Sequence, residues 1–222
     1  MIRVPRRIAD QVLLKIANDV SFNTAALTEP LACCIHGLEA LDFQAGQSLL
    51  VIGDGPMGLL QAALGKALGA SRVILCGMTP DRLRFAAQVA DQVIDSAKQE
   101  LATVVHDLLP AGPDKVLVSV GSVDLVLQAL QIAGKGGAVN IFAGMPKDAM
   151  FAMPIYRVHY DEVSVVGTFG FGPQHFRRAL EVLSGGTLPI AGFVTQTVAL
   201  EGIEAALQAA SRYEGIKALV VT

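Results

Sequence analysis

Apolar residues fall along this chain in short runs separated by longer segments whose apolar positions recur at helical spacing. Ser48–Ile52, Arg72–Cys76, Gln92–Ile94, Lys115–Val120, Ala138–Phe142 and Val163–Val166 predict strands, and several are apolar throughout, as strands covered on both faces are. Between them, Pro56–Leu68, Pro80–Val89, Gln99–Leu109 and Val123–Ile132 predict helices. Two of these open on proline, which suits the first helical turn because the missing N–H would have no partner there. Strand and helix alternate repeatedly, so the chain reads as α/β, a doubly wound parallel sheet joined by right-handed crossovers. Gly112-Pro113 and Gly136-Gly137 mark loops, and no internal repeat or low-complexity tract interrupts the pattern.

Composition narrows the function classes. Apolar residues make up 52% and charged residues 17% of the 222 positions, with a net charge of −3. That balance supports a substantial core and excludes a disordered tail or a basic nucleic-acid face. Three cysteines, Cys33, Cys34 and Cys76, are too few for a disulfide framework and predict a reducing, cytoplasmic setting. Arg3, Arg6 and Arg7 lead into Asp10, Lys15 and Asp19 rather than into an apolar leader, and the apolar region 46–71 carries Asp54, Lys66 and several glycines. Neither segment reads as a secretion signal or a membrane span.

The chemistry concentrates in Gly53-Asp54-Gly55-Pro56-Met57-Gly58, a G-x-G-x-x-G run directly after a strand and at the start of a helix. The first glycine permits the tight turn, the second lets backbone approach a pyrophosphate, and the third lets helix and strand pack closely. The helix N-terminus then offers free N–H groups and a partial positive charge to phosphates. Which dinucleotide is held depends on the end of the second strand, where an acid would take the ribose 2′-hydroxyl. Cys76, Gly77 and Met78 stand there with no acid before Asp81, while Thr79, Arg82 and Arg84 lie just beyond. Room for a 2′-phosphate and a guanidinium to bind it predict NADP, with NAD as the alternative.

The run SFNTAALTEPLACCIHGLEA, then GQSLLVIGDGPMGLL, TPDRLRFAAQVADQVID, GKGGAVNIFAGM and VVGTFGFGPQHFRRALEVLSGGTLPI resembles the medium-chain zinc-dependent alcohol dehydrogenases, most closely their polyol and sorbitol dehydrogenase-like branch. The resemblance implies a Rossmann domain over residues 21–188. It also implies that 1–20 and 189–222 are remnants of a GroES-like catalytic domain, with strands at Phe193–Val198 and Ala218–Val221 and a helix at Glu201–Ala210. The implied activity is reversible hydride transfer between an alcohol or polyol and NAD(P). In the family, zinc ligands precede the Glu29-Pro30-Leu31 segment, so zinc is expected only if such a region is supplied, and this chain alone is expected to bind cofactor without oxidising alcohols.

Among positions matching the family, Glu29 is the weak metal candidate. Cys33 and Cys34 lie on the helix after Pro30 and point in different directions, whereas His36 and Glu39, three apart, share a face. Val120 and Gly121, Phe142 and Ala143, and Thr168 end the fourth, fifth and sixth strands, where open α/β sheets bind ligands, and the resemblance puts them beside the cofactor. His159-Tyr160-Asp161-Glu162 reads as a solvated loop, and His106 and His175 have no partner nearby in sequence. The strand ALVV near the end has no evident sheet to join, which predicts packing against another subunit or a separate N-terminal chain; Val163–Val166 is an edge-strand interface candidate for a homo-oligomer. Two other functions remain open: a zinc-free quinone-reductase-like enzyme, against which Glu29-Pro30-Leu31 argues, and a non-catalytic NADP-binding regulatory module.

Overall fold

The computed structural model describes residues 3–221, so the outermost positions of both predicted end segments lie outside the described residues. In chain order the elements are α1 (Arg6–Val12), α2 (Phe22–Ala25), α3 (Thr28–Ala40), β1 (Ser48–Ile52), α4 (Pro56–Ala67), β2 (Arg72–Gly77), α5 (Pro80–Val89) and β3 (Gln92–Asp95). They continue with α6 (Leu101–Leu108), β4 (Lys115–Val118), α7 (Val123–Ile132), β5 (Ala138–Ile141), α8 (Ile155–Tyr160), β6 (Ser164–Gly167), α9 (Pro173–Ser184), β7 (Val194–Ala199), α10 (Ile203–Ser211) and β8 (Lys217–Val221). Six strands form one parallel sheet in the order β3-β2-β1-β4-β5-β6. The order reverses between β1 and β4, which opens a crevice at their carboxyl ends.

Alternating residues of one strand feed two separate cores, which is why the buried strands lack a polar face. Leu49 and Val51 of β1 join Val73, Leu75 and Leu117 beneath α3, α4, α5 and α9, whereas Leu50 and Ile52 join Ile74, Val116 and Val118 beneath α6 and α7. All five residues of β1 are buried, so a one-residue register slip would exchange the two cores. Register is pinned where Asp114 accepts hydrogen bonds from the Ser48 amide (2.8 Å) and hydroxyl (2.7 Å).

Several boundaries depart from the sequence pattern. The fourth strand stops at Val118 rather than Val120, because the β1 backbone opposite turns away at Gly53 and Ser122 already caps α7. Glu100 caps α6 through bonds from the amides of Ala102 (3.0 Å) and Thr103 (2.6 Å), so that helix starts at Leu101 rather than Gln99. The terminal strand does find a sheet: β8 pairs in parallel with β7, with α10 between them in sequence. No helix among the described residues is long and apolar enough to cross a membrane.

The polar cluster 159–162 is not a solvated loop. His159 and Tyr160 end α8, and buried Asp161 takes the Arg157 guanidinium at 2.5 Å and Lys135 at 3.3 Å, while its carbonyl receives the Gly136 amide. Arg157 also donates to the Leu130 and Ala133 carbonyls, tying α8 to the end of α7. The hydrogen bond from Arg157, helped by Lys135, holds the Asp161 carboxyl below its ordinary range. A carboxyl depressed in the native state stabilises the fold above its unfolded value, about 3.9 for Asp, and that stability is lost as pH falls through the lower native value. Asp161→Asn should therefore destabilise the chain at neutral pH by an amount that shrinks as acid is added below about pH 4. Denaturant unfolding of both proteins across that range checks this, and a deficit independent of pH would contradict it.

Candidate active site at the sheet crevice

The glycine turn sits at the β1/β4 crevice, and each glycine answers a different constraint. Gly53 has φ of +125°, and a Cβ there would come 2.8 Å from Val120 Cγ2. A Cβ on Gly58 would lie 1.9 Å from the Gly53 carbonyl oxygen, so α4 packs against the turn at a distance only glycine allows. Gly55, by contrast, has ordinary φ of −68° and nothing within 4 Å of its absent Cβ. That open space beside the backbone is what an approaching phosphate requires. Pro56 occupies the first helical position, and the first intrahelical bond is donated by Leu59 to the Gly55 carbonyl (3.0 Å). The amides of Met57 and Gly58 thus precede the intrahelical ladder.

A cavity of about 360 Å³ adjoins the turn, lined by Gly53, Asp54, Gly77, Met78, Val120 and Leu125 among others. Gly53, Gly77 and Val120 are therefore brought together at one cavity. Gly55, Pro56 and Arg82 line a neighbouring cleft with residues of β7, α10 and β8. Met57 packs partly buried on the core, and its carbonyl faces the Cys34 thiol at 3.8 Å. Gly121 closes against Gly144, whose carbonyl would lie 2.5 Å from a Cβ there, and the Ala143 amide is bonded to Val118. Phe142 turns its ring onto Gly37 of α3, and the Thr168 hydroxyl bonds buried Asn140 (3.2 Å), which also donates to the Gly37 carbonyl (2.9 Å). These two side chains brace α3 against the sheet, away from the Gly53 cavity.

The end of β2 departs from expectation. Its sequence lacks an acid, yet a carboxylate is there in space: Asp54, an unassigned position of the glycine motif, reaches across from the end of β1 and accepts the amides of Met78 (3.0 Å) and Thr79 (2.6 Å) through Oδ2. Arg82 is buried rather than waiting at the ribose site. Its Nε donates to the Gly215 carbonyl (2.8 Å), and its guanidinium lies 5.6 Å from the centre of the Tyr213 ring. Arg84 pairs with Asp81 on the exposed side of α5. Cys76, beneath this floor, is pushed up to about 11 chiefly by burial and stays a neutral thiol.

The residues near Glu29 do not fit a zinc ion. The Cys33 thiol donates to Glu29 (3.7 Å) and is raised to about 11 by burial and by that carboxylate. Cys34 points into the core, as its helical phase predicts. His36 bonds the Gly170 carbonyl (2.9 Å) and stacks on His175. His175, without a neighbour in sequence, has several in space: its Nδ1 accepts the Gly172 amide (2.8 Å), and Nε2 faces Glu39 (3.0 Å), which also takes Arg178. Among the described residues, no three His, Cys, Asp or Glu side chains converge to hold a metal.

Comparison with known proteins fits this geometry. Residues 56–185 match the family described as zinc-binding dehydrogenase. A probable D-xylulose reductase A of Aspergillus terreus is 29% identical over 213 residues, covering 93% of this chain and 60% of that protein. D-arabitol-phosphate dehydrogenase of Enterococcus avium is 30% identical over 186 residues, covering 82% of this chain and 52% of its own. Among solved structures, a zinc-binding dehydrogenase from Sinorhizobium meliloti bound to NADP superposes with a TM-score of 0.87 at 27% identity, covering 94% of this chain and 62% of that one. The alcohol dehydrogenase of Thermus sp. ATN1 gives 0.85 at 26%, with coverages of 94% and 62%. The chain thus spans 52–62% of the length of these relatives.

Proposed function

We propose, from the premise that this chain belongs to the zinc-binding dehydrogenase family, that it is the dinucleotide-binding portion of an alcohol or polyol dehydrogenase-like oxidoreductase. The observation that carries the reading is the glycine turn at the β1/β4 crevice, with open space at Gly55 beside the unpaired start of α4. The names of its relatives, a xylulose reductase and an arabitol-phosphate dehydrogenase, support a polyol as the small-molecule substrate class.

In this reading the amides of Met57 and Gly58 hold the pyrophosphate, and the apolar lining at Ile52, Val120 and Leu125 takes the adenosine end. Gly77 and Thr79 border its ribose, while Arg82, bonded to Gly215, faces the neighbouring cleft. Gly121, Phe142, Ala143 and Thr168, at the ends of β4, β5 and β6, flank the nicotinamide end directly or through the packing they fix. The bound nicotinamide supplies a hydride acceptor for alcohol oxidation and a donor for the reverse. Glu29 is the metal candidate of this reading, and among the described residues no third side chain joins it and Cys33, so zinc there would need further ligands. In this reading an N-terminal partner chain would bring those ligands, the edge strand β6 supports a homo-oligomer, and the cysteine usage supports a cytoplasmic setting.

The chain alone is expected to bind reduced dinucleotide but to show no oxidation of alcohols or polyols above buffer. Titration by nicotinamide fluorescence, unobscured because the chain has no tryptophan, together with a turnover assay on the same sample, tests both parts. Turnover by the purified chain would refute the inactivity. Failure of a folded sample to bind either dinucleotide would refute the reading itself.

A further inference from the structure

We infer that Asp54, from inside the glycine turn, takes over the ribose-reading role normally given to an acid at the end of the second strand and turns the site towards NAD(H) and against NADP(H). The inference rests on the dinucleotide reading above. Three observations converge on it.

The carboxylate is in the right place. Asp54 lines the cavity beside Gly77 and Met78, with only 8% of its surface exposed. Its Oδ2 carries both amide bonds, and its Oδ1 has no hydrogen-bond partner among the described residues. One oxygen therefore fixes the side chain, and the other is left to accept from a hydroxyl on a ligand in that cavity.

Gly77 is the reciprocal of this arrangement. A Cβ on Gly77 would fall 2.4 Å from the Asp54 Cβ and 2.5 Å from its Cγ. A side chain at position 77 and the Asp54 carboxylate are thus mutually exclusive in this backbone. Glycine at the strand end is explained by the acid that has filled its space from the neighbouring strand.

The groups that would receive a 2′-phosphate are already engaged. The amides of Met78 and Thr79, at the start of α5, are the local anion site, and Asp54 occupies them. Arg82 is bonded to Gly215 and lies against Tyr213, and Arg84 is paired with Asp81. A phosphate entering here would meet a carboxylate in a largely buried site and would have to displace it from its donors.

The test is a fluorescence titration of NADH and NADPH into the 222-residue chain and its Asp54→Asn and Asp54→Ala variants, with circular dichroism to verify folding. Asn keeps an acceptor for the two amides and removes only the charge. The wild-type chain should bind NADH more tightly by roughly tenfold or more, the scale of one charge-assisted hydrogen bond. Asp54→Asn should narrow that ratio by about the same factor, through weaker NADH and stronger NADPH binding. The double change Asp54→Gly with Gly77→Asp, which returns the acid to the strand end, should restore NADH preference. Tighter NADPH binding by the wild type, or a ratio unmoved by Asp54→Asn, overturns the inference while leaving the dinucleotide reading intact. Folded protein that binds neither overturns both.

Discussion

Gly58→Ala is expected to abolish measurable dinucleotide binding and to lower the melting temperature, whereas Gly55→Ala, three residues earlier, should spare the melt and weaken binding alone. The difference lies in what each new methyl meets. At Gly58 it meets the Gly53 carbonyl oxygen at 1.9 Å and the carbonyl carbon at 3.0 Å, with Val51 Cγ1 at 3.4 Å. Backbone cannot rotate aside as a long side chain can, so α4 has to lift from β1. Its buried face of Leu59, Leu60, Ala62, Ala63 and Leu64 moves with it. Overpacking of this kind costs about 1–3 kcal/mol, which in a chain of this size lowers Tm on the order of 5 °C. The same displacement pulls the Met57 and Gly58 amides off the turn. At Gly55 the methyl enters empty space at an ordinary φ, so folding is indifferent and only a ligand using that space notices. Melting curves and NADH titrations of both variants check the pair. A wild-type melt for Gly58→Ala would contradict the close packing, and undiminished binding by Gly55→Ala would contradict the cradle.

The same contrast shows why some of this molecule was readable from its sequence and some was not. The central strands and the glycine turn were, because burial on both faces of β1, β2 and β4 writes itself as apolar runs, and the φ of +125° at Gly53 with the close approach at Gly58 calls for glycine. The helix α9 was missed although Gly172-Pro173 opens it, Phe176, Ala179 and Leu183 recur at helical spacing and Gly185-Gly186 closes it; its signal was present and unused. The short α8 carried no such signal, since Tyr156, His159 and Tyr160 are exposed and its anchor is the pairing of Arg157 with Asp161. Asp54 and His175 escaped for a third reason. Their partners come from the β2–α5 connection and from α3, so what they do depends on adjacency that spacing along the chain does not encode. A search for an acid along the second strand could not find one delivered by the first.

The other large effect is expected at the joint between the six-stranded sheet and the chain's last segment. Phe193, 1% exposed, packs edge-on against Phe85 of α5 with ring centres 6.1 Å apart. One turn earlier on the same helix, Arg82 holds the Gly215 carbonyl just before β8. Otherwise the segment buries little of its own: no residue of β7 or β8 is fully buried, and Ala206 alone is buried in α10. Phe193→Ala should therefore cost about 3–5 kcal/mol, as large-to-small changes at buried aromatics do. That cost should fall unevenly, because β7, α10 and β8 depend on this anchor and the central strands do not. Hydrogen exchange should show the amides of the β7–β8 ladder losing protection while those of Leu50 and Val51 keep theirs. Uniform loss across both groups would mean that the segment and the sheet unfold as one unit, and unchanged protection of the β7–β8 ladder would mean that the Arg82 contact holds the joint without the ring.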